Sequence, residues 1–322
     1  MTLKEFIDEW NNDEPTVLVH TSGSTGKPKP LRVEKLRMAA SAHITCAFLG
    51  LQRGDTALLC MPLDYIAGKM MVVRSLQRDL LLTSVRPSSH PLADETLPHF
   101  TFAAMVPMQV YNTLKVPCER ERLMRIRHLI IGGGAISDEL AQMIKPLPNA
   151  VWSTYGMTET LSHIALRRLS GPDASLWYTP FDGVGISLNA DGCLVIDAPE
   201  VCAEPLVTND IAQLRTDDRT GKTLFRIKGR KDNVVCSGGI KIQIEEVEET
   251  LRPHLSAPFM IVKKQDEMLG EKAILLTESA DLTHIEEICR NTLPKYWVPR
   301  EFLHIDHLPL TETGKPKRSG AF

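Results

Sequence analysis

The residues of this chain best suited to chemistry begin at His20-Thr21-Ser22-Gly23-Ser24-Thr25-Gly26-Lys27-Pro28-Lys29-Pro30. Gly23 and Gly26 allow a tight backbone turn whose N–H groups can converge on a polyphosphate. The hydroxyls of Thr21, Ser22, Ser24 and Thr25 and the ammonium groups of Lys27 and Lys29 add donors and positive charge. This is not a Walker A loop, in which four residues separate the glycines and a Ser or Thr follows the Lys. Here two residues intervene and Pro28 follows Lys27. A plain Ser/Gly/Pro surface loop would have the same composition.

Further constellations follow along the chain. Gly132-Gly133-Gly134-Ala135 succeeds an apolar run ending at Ile131. Glycines there admit a flat group at the carboxyl end of a strand, where open α/β sheets bind ligands. Tyr155-Gly156-Met157-Thr158-Glu159-Thr160 follows the next apolar run, and Glu159 is the kind of hard carboxylate that holds Mg²⁺ beside phosphate oxygens. Asp210, in Thr208-Asn209-Asp210, is an acceptor-only group suited to paired hydroxyls. Then come Gly229-Arg230-Lys231-Asp232, Ser237-Gly238-Gly239 ahead of Glu245-Glu246-Val247-Glu248, and Pro309-Leu310-Thr311-Glu312-Thr313-Gly314-Lys315. Taken singly, Glu159 reads as a solvated acid, Gly238-Gly239 as a hairpin turn, and Lys315 as a solvent-facing lysine.

Together and in this order, from residue 17 to the end, these motifs resemble the adenylate-forming superfamily of acyl-CoA ligases, peptide-synthetase adenylation domains and luciferases. The resemblance implies that residues 21–29 bind the phosphates of ATP and that Gly133, Gly134 and Ala135 lie against adenine. Tyr155 would stack on adenine within the loop of Gly156 and Met157, Thr158 would bond the α-phosphate, and Glu159 would hold Mg²⁺. Asp210 would clamp the ribose hydroxyls. The family has T-G-D where this chain has Thr208-Asn209-Asp210, and Asn209 can take the left-handed turn that glycine would. Arg230 would contact the ribose or phosphate, and Asp232 would be the pivot of a swinging small domain. Ser237, Gly238 and Gly239 would line the channel for coenzyme A, and Lys315 would bridge the substrate carboxylate and the α-phosphate. The implied activity is AMP-forming ligation of a carboxylic acid to CoA through an acyl-adenylate. A ligase that loads a carrier protein and a non-catalytic nucleotide-binding regulator are the alternatives.

Within the family the chain is most similar to the compact o-succinylbenzoate–CoA ligases of menaquinone biosynthesis, through TSGSTGKPKPLRVEK, GDTALLCMPLDYIAGKMMVVRSL and YGMTETLSHIALRRL. Tyr65, in Pro62-Leu63-Asp64-Tyr65-Ile66-Ala67-Gly68, stands where relatives carry His beside the substrate carboxylate; a core aromatic is the other reading. A diacid needs a donor or cation for its second carboxylate, because an unpaired buried charge costs several kcal/mol. Lys69, Ser162 and His163 are the candidates, each of which could equally be a solvated surface residue. Most members carry a further subdomain ahead of the phosphate loop, where this chain has about twenty residues. Part of the acyl-pocket wall and some dimer contacts are therefore expected to be absent or built differently.

These residues need a scaffold, and the pattern predicts an α/β fold. A helical stretch over 31–49 ends at Gly50, followed by strands at 57–61, 80–85, 101–106, 128–131 and 151–154 with helices at 68–78 and from Ser137. Short apolar runs alternating with helices imply βαβ units and a largely parallel sheet. After Gly171 a small β region takes over, with strands near 194–197, 211–215 and 224–227 and a turn at 217–221. Past Arg230 come a hairpin at Gly238-Gly239, a helix over 244–252, strands at 259–263 and 272–276, and a helix opening at Thr283 with Glu286 as a capping box. The expected architecture is a large N-terminal α/β domain with a small β subdomain, residues 1–229. A small α+β C-terminal domain, residues 230–322, would move on the hinge.

Composition narrows the partners. The 322 residues suit two domains and bury enough surface to need no disulfide or structural metal. A net charge of −3 lacks the basic excess of a nucleic-acid footprint. Seven dispersed cysteines without a C-x-x-C pair read as reduced thiols. No signal peptide or apolar run of ~18 residues is present, so a cytoplasmic enzyme is expected. Monomer and homodimer remain open.

Overall fold

The computed structural model describes residues 1–20, 30–134, 136–310 and 317–318. The chain divides into two compact units: Met1–Ile186 with Ile196–Leu206 and Arg215–Phe225, and Ser187–Val195 with Val207–Leu214 and Arg226–Phe322.

The first unit opens with helix α1 (Leu3–Asn11), started by a reciprocal capping box between Thr2 and Glu5 that satisfies two otherwise orphaned N–H groups. Strands β1 (Thr16–His20) and β2 (Pro30–Glu34) pair antiparallel from Thr16↔Glu34 to His20↔Pro30. Helix α2 (Lys35–Leu49) therefore starts four residues later than the periodicity suggests, because residues 31–34 satisfy their backbone groups against β1. Gly50 ends it in the left-handed conformation, φ 63°.

The main sheet has seven strands: β3 (Thr56–Leu59), β4 (Leu81–Ser84), β5 (Phe102–Met105), β6 (His128–Ile131), β7 (Ala150–Gly156), β8 (His163–Arg168) and β9 (Thr179–Pro180), in the order β4-β3-β5-β6-β7-β8-β9. The first five are parallel and β8 and β9 run antiparallel. Helices α3 (Ile66–Arg78), α4 (Pro107–Lys115), α5 (Pro117–Met124) and α6 (Asp138–Ile144) fall in the intervening connections. Ala57, Leu58, Phe102, Ala103, Leu129 and Val151 are fully buried, as strands covered on both faces require.

A four-stranded sheet, β10 (Gly185–Leu188), β11 (Cys193–Asp197), β12 (Leu206–Thr216) and β13 (Thr223–Arg230), has residues assigned to each unit. The small β region is thus divided, with the second unit resuming at Arg226 rather than at residue 230.

The second unit contains β14 (Val234–Ser237), β15 (Ile240–Gln243), β16 (Phe259–Asp266), β17 (Gly270–Thr277) and β18 (Glu301–His304), with helices α7 (Ile244–Leu251) and α8 (Leu282–Thr292). Strand order is β15-β14-β17-β16, and β18 lies parallel to β17. Val235, Val247, Leu251, Ile261, Leu275 and Ile285 form its core. Helix α8 begins one residue before the expected Thr283, and its cap is Asp281, whose carboxylate accepts from His284 N–H. Asp281 thus replaces Thr283 as the N-cap, and the N–H it accepts is that of His284 rather than that of Glu286.

All seven cysteines are free thiols. Among the described residues no helix is long and apolar enough to cross a membrane.

One position tests the seating of α3. A Cβ on Gly68 would lie 2.3 Å from the Pro62 carbonyl oxygen and 2.8 Å from its carbon, both backbone atoms that cannot rotate away. Gly68→Ala should therefore cost about 1–3 kcal/mol, read as a lowered midpoint of chemical unfolding; an unchanged midpoint would show that the Pro62 turn yields freely.

Candidate active site

Parallel register brings two of the expected motifs together. Ile131 in β6 pairs with Ser153 in β7, so the turn from Gly132 and the loop from Gly156 leave the same end of adjacent strands. Gly132 has no room for a side chain, since a Cβ there would sit 2.6 Å from the Thr154 hydroxyl. Gly133 is left-handed at φ 78°, a conformation glycine adopts without strain. The turn is a close, side-chain-free surface of the kind a planar base requires. Ala135 lies outside the described residues.

The loop after β7 is folded tightly on itself. A Cβ on Gly156 would lie 2.3 Å from the Ser162 carbonyl oxygen and 2.5 Å from the His163 Cα, so only glycine fits. Residues Thr158–Thr160 make a 3₁₀ turn, and fully buried Thr160 ties it down. Its hydroxyl accepts from Met157 N–H at 3.0 Å and donates to the Ser162 carbonyl at 2.6 Å. Leu161 takes φ 64°, a strained value for a branched residue and one that clusters at functional loops. Thr158 is half-buried and Glu159 exposed, and neither side chain is hydrogen-bonded or ion-paired to another described residue.

The Tyr155 ring is half-buried against Phe225, edge-on at 5.0 Å, and Tyr178 at 5.7 Å; those two stack on each other at 5.3 Å. Neither Tyr178 nor Phe225 belongs to a recognisable motif. Their role in orienting Tyr155 emerges only when β9 and β13 are placed.

The acyl-side candidates are redistributed. Tyr65 is 42% exposed and sits at the N-cap of α3, so it is not a core aromatic. Lys69 is corrected: it is 2% exposed, donates to the Leu18 carbonyl at 2.7 Å, pairs with Glu9 at 3.5 Å and lies over the Phe6 ring. Its charge is committed to α1 and β1 instead of being free for a ligand. Burial lowers its pKa, and Glu9 opposes that shift.

Ser162 and His163 belong to a directed chain of hydrogen bonds that starts at Arg74, a residue not among the expected site residues. Arg74 donates from its terminal nitrogen to Ser162 Oγ at 2.5 Å. Thr45 donates to the Ser41 carbonyl at 3.1 Å, so it must accept from His163 Nε2–H at 3.2 Å. His163 Nδ1 is then the acceptor for the Ser162 hydroxyl at 3.2 Å. The imidazole is neutral in this arrangement. Burial first, and the Arg74 charge second, hold its pKa well below 6.5. Burial lowers the Arg74 guanidinium to about 10, which leaves it a cation at neutral pH. A lone Arg inside Met70-Met71-Val72-Val73-Arg74 was the available signal for it.

The second unit holds the ribose and hinge candidates. Arg230 bridges Asp210 at 3.0 Å and Asp232 at 2.9 Å, and Asn209 donates to Asp232 at 3.3 Å. Here the Arg230 fork is occupied by these carboxylates. Asn209 does not take the left-handed turn expected of it: it lies within the extended strand β12, which frees its amide to meet Asp232. The Arg230 carbonyl accepts from Gln243, and Asn233 donates to Glu245, fastening the hinge turn to the start of α7. Gly238 and Gly239 have φ 56° and 83° and close the β14–β15 hairpin, a two-residue turn of the I′ type. A Cβ on Gly239 would meet nothing within 4 Å. Ser237 pairs with Gly270 beside that turn.

Thr21, Ser22, Gly23, Ser24, Thr25, Gly26, Lys27, Lys29 and Lys315 lie outside the described residues. Their flanks are well tied. His20↔Pro30 closes the β1–β2 ribbon around 21–29. Beyond Lys315, Lys317 N–H donates to the Pro309 carbonyl, and Arg318 forks onto both oxygens of Glu248 at 2.7 and 2.8 Å.

Mg²⁺ fits this donor set. Among the described residues no cluster of three or more metal-ligating side chains exists. Glu159 offers a single open carboxylate, as suits an ion whose other ligands are phosphate and water.

The chain belongs to the AMP-binding enzyme family, whose model matches residues 4–203. It is 26% identical to the 2-succinylbenzoate–CoA ligase of Bacillus mycoides, over 96% of this chain and 70% of that protein. Its fold matches an acyl-CoA synthetase (AMP-forming)/AMP-acid ligase II-like protein from Dyadobacter fermentans, with TM-score 0.68, 34% identity, and coverage of 98% of this chain and 91% of that one. It also matches the o-succinylbenzoate CoA synthetase of Bacillus subtilis in complex with its acyl-adenylate intermediate, with TM-score 0.74 and 22% identity over 94% and 68% of the two chains.

Neutral His163 gives the fold a measurable pH response. Its folded pKa is depressed, so the unfolded chain binds a proton that the folded one refuses, and stability is lost as pH falls below 6.5. Between about pH 7.5 and about pH 5.5, wild-type stability should fall more steeply than that of His163→Gln, by up to ~1.4 kcal/mol per pH unit. Parallel slopes in urea titrations would show that the folded protein accepts the proton.

Proposed function

We propose that this enzyme activates a dicarboxylic aromatic acid, o-succinylbenzoate, as its acyl-adenylate and transfers the acyl group to coenzyme A. The observation that carries the reading is the placement of the Gly132–Gly134 turn beside the Thr158-Glu159 loop at one edge of the parallel sheet. That edge supplies a flat surface for a base next to a hydroxyl and an open carboxylate for phosphates and their cation. The similar ligases of the Bacillus species bear this substrate in their names.

In the first half-reaction a carboxylate oxygen attacks the α-phosphorus of ATP, an acyl–phosphate bond forms, and the bond to pyrophosphate breaks. Thr158 would bond the α-phosphate, and Mg²⁺ held at Glu159 would neutralise phosphate charge. Asp210 and Arg230 would hold the ribose side, and Lys315 would stabilise the charge that shifts between carboxylate and α-phosphate. In the second half-reaction the CoA sulfur attacks the acyl carbon, the carbon–oxygen bond breaks, and AMP leaves. The small domain would pivot at Asp232 between the two, with Ser237, Gly238 and Gly239 along the path of the thiol. Catalysis is positioning and charge stabilisation in both steps.

Pyrophosphate release across a panel of acids tests the substrate. o-Succinylbenzoate should exceed benzoate and medium-chain fatty acids by on the order of 10²-fold or more in kcat/KM, because a site built for a polar group strands its partners when that group is missing. Thioester should form with CoA and no carrier protein. Comparable turnover of benzoate would refute the substrate assignment.

Lys315→Ala separates the two half-reactions. Adenylation should fall by about 10²–10³-fold, the usual effect of deleting one preorganised charge, while supplied acyl-adenylate is still converted to acyl-CoA. Equal loss in both halves would rule out a role confined to adenylation.

A further inference from the structure

The pairing of Arg318 with Glu248 is built more completely than an ion pair on the surface of a fold requires. One terminal nitrogen of Arg318 lies 2.7 Å from Glu248 Oε1 and the other 2.8 Å from Oε2, two parallel bonds in a planar fork. The first nitrogen also donates to the Ile261 carbonyl at 2.7 Å, and Glu248 Oε1 accepts Ile261 N–H at 2.7 Å. Both side chains are largely buried, at 16% and 10% exposed. Removing two charges from water offsets much of what their attraction returns, so such a pair is weak evidence for stability. Its better attested use is to fix one arrangement of the chain.

The arrangement it fixes lies beside Lys315. Ile261 is fully buried in the core of the second unit, so Arg318 is tied to the least movable part of that unit. On the other side of the motif, Leu308 N–H donates to Glu278 at 2.9 Å, and Leu308 packs against Met260, Val262, Ile274 and Leu276. Lys317 N–H joins the two sides by donating to the Pro309 carbonyl at 2.8 Å. The chain is therefore held both before residue 310 and after residue 316, and both anchors bear on β16. Three residues span at most about 11 Å, which confines the Lys315 backbone to that distance from Arg318. A lysine that must meet charge shifting onto the α-phosphate gains from such confinement, because less freedom is lost at the moment of reaction. Arg318 has both terminal nitrogens committed to Glu248 and Ile261, which leaves the phosphate chemistry to Lys315.

We propose that Glu248 and Arg318 are positioning residues for adenylation: their fork fixes the segment from which Lys315 acts, and thioester formation does not depend on it. The inference rests on the reading above in which Lys315 serves the first half-reaction alone. It extends the catalytic requirement of that step to a buried pair that touches neither ATP nor the acid.

The test runs the two half-reactions separately in wild type, Arg318→Gln, Arg318→Lys, Glu248→Gln, Lys315→Ala and the double variant Lys315→Ala/Arg318→Gln. Pyrophosphate release is measured with o-succinylbenzoate, or whichever acid the panel above turns over, and thioester formation with supplied acyl-adenylate and CoA. Arg318→Gln and Glu248→Gln should lower kcat for adenylation by on the order of 10–10²-fold, the scale of a small misplacement of a reacting group. KM for ATP should change little, and thioester formation should stay close to wild type. Arg318→Lys keeps the charge without the fork and should fall between wild type and Arg318→Gln. The double variant should adenylate no more slowly than Lys315→Ala, since Arg318 acts only through Lys315. A merely loosened unit would behave differently: Ser237, Gly238 and Gly239 belong to the same unit, so thioester formation would slow as well. Equal loss in both halves, no loss in either, or a full additional loss in the double variant would overturn the inference while the activity stands. If Lys315→Ala itself slows both halves alike, the reading of Lys315 falls and this inference with it.

Discussion

The site depends first on the parallel pairing of β6 with β7. With His128 opposite Ala150 and Ile131 opposite Ser153, both strands run out at the same edge, and the next residues of each are the glycine turn and the YGMTE loop. A shift by one residue would send every side chain of one strand to the opposite face. It would also separate Gly132 from Thr154, whose hydroxyl fills the space a Cβ would need and reaches back to the Ile131 carbonyl at 3.2 Å. The edge is thus specified twice, by buried apolar residues along the strands and by steric exclusion at their ends.

Beside that edge the interior is polar, and its polarity is ordered. From Arg74 through Ser162, His163 and Thr45 to the Ser41 carbonyl, each group donates to the next, which fixes the histidine tautomer without a charge on the ring. A buried network of this kind contributes specificity only when every member is satisfied. The far end is satisfied, whereas at the near end Arg74 Nε has no hydrogen-bond partner among the described residues. Gly156 and Leu161 show what the backbone tolerates to keep the loop in place: one position with no room for a Cβ and one left-handed branched residue.

The second unit applies charge differently, at half-exposed positions where pairs are worth little individually. Arg230 joins Asp210 to Asp232, and Gln243 and Glu245 hold the turn between them. Near the end of the chain the pairing of Arg318 with Glu248 is different in kind. It is bidentate and largely buried, Glu248 also accepts Ile261 N–H, and Arg318 also donates to the Ile261 carbonyl. That arrangement fixes the chain three residues beyond Lys315 to α7 and β16.

Much was already determined by the sequence. Motif order identified the family because each short motif answers a local chemical demand, such as a backbone without side chains, a hard carboxylate or a left-handed hairpin turn, and such demands are written in residue type. Apolar periodicity identified the parallel strands for the same reason. Tertiary structure decided the partners. Lys69 looked like a free cation until α1 folded over it, residues 31–34 looked helical until β1 offered them a ladder, and Asn209 looked like a glycine substitute until β12 extended through it. Arg74, Tyr178 and Phe225 lie away in sequence from the loop they support: Arg74 shows only as a lone cation in an apolar run, and no local pattern signals Tyr178 or Phe225. Whether a buried charge is neutralised depends on which groups converge around it in three dimensions, and the order of residues along the chain does not contain that distance.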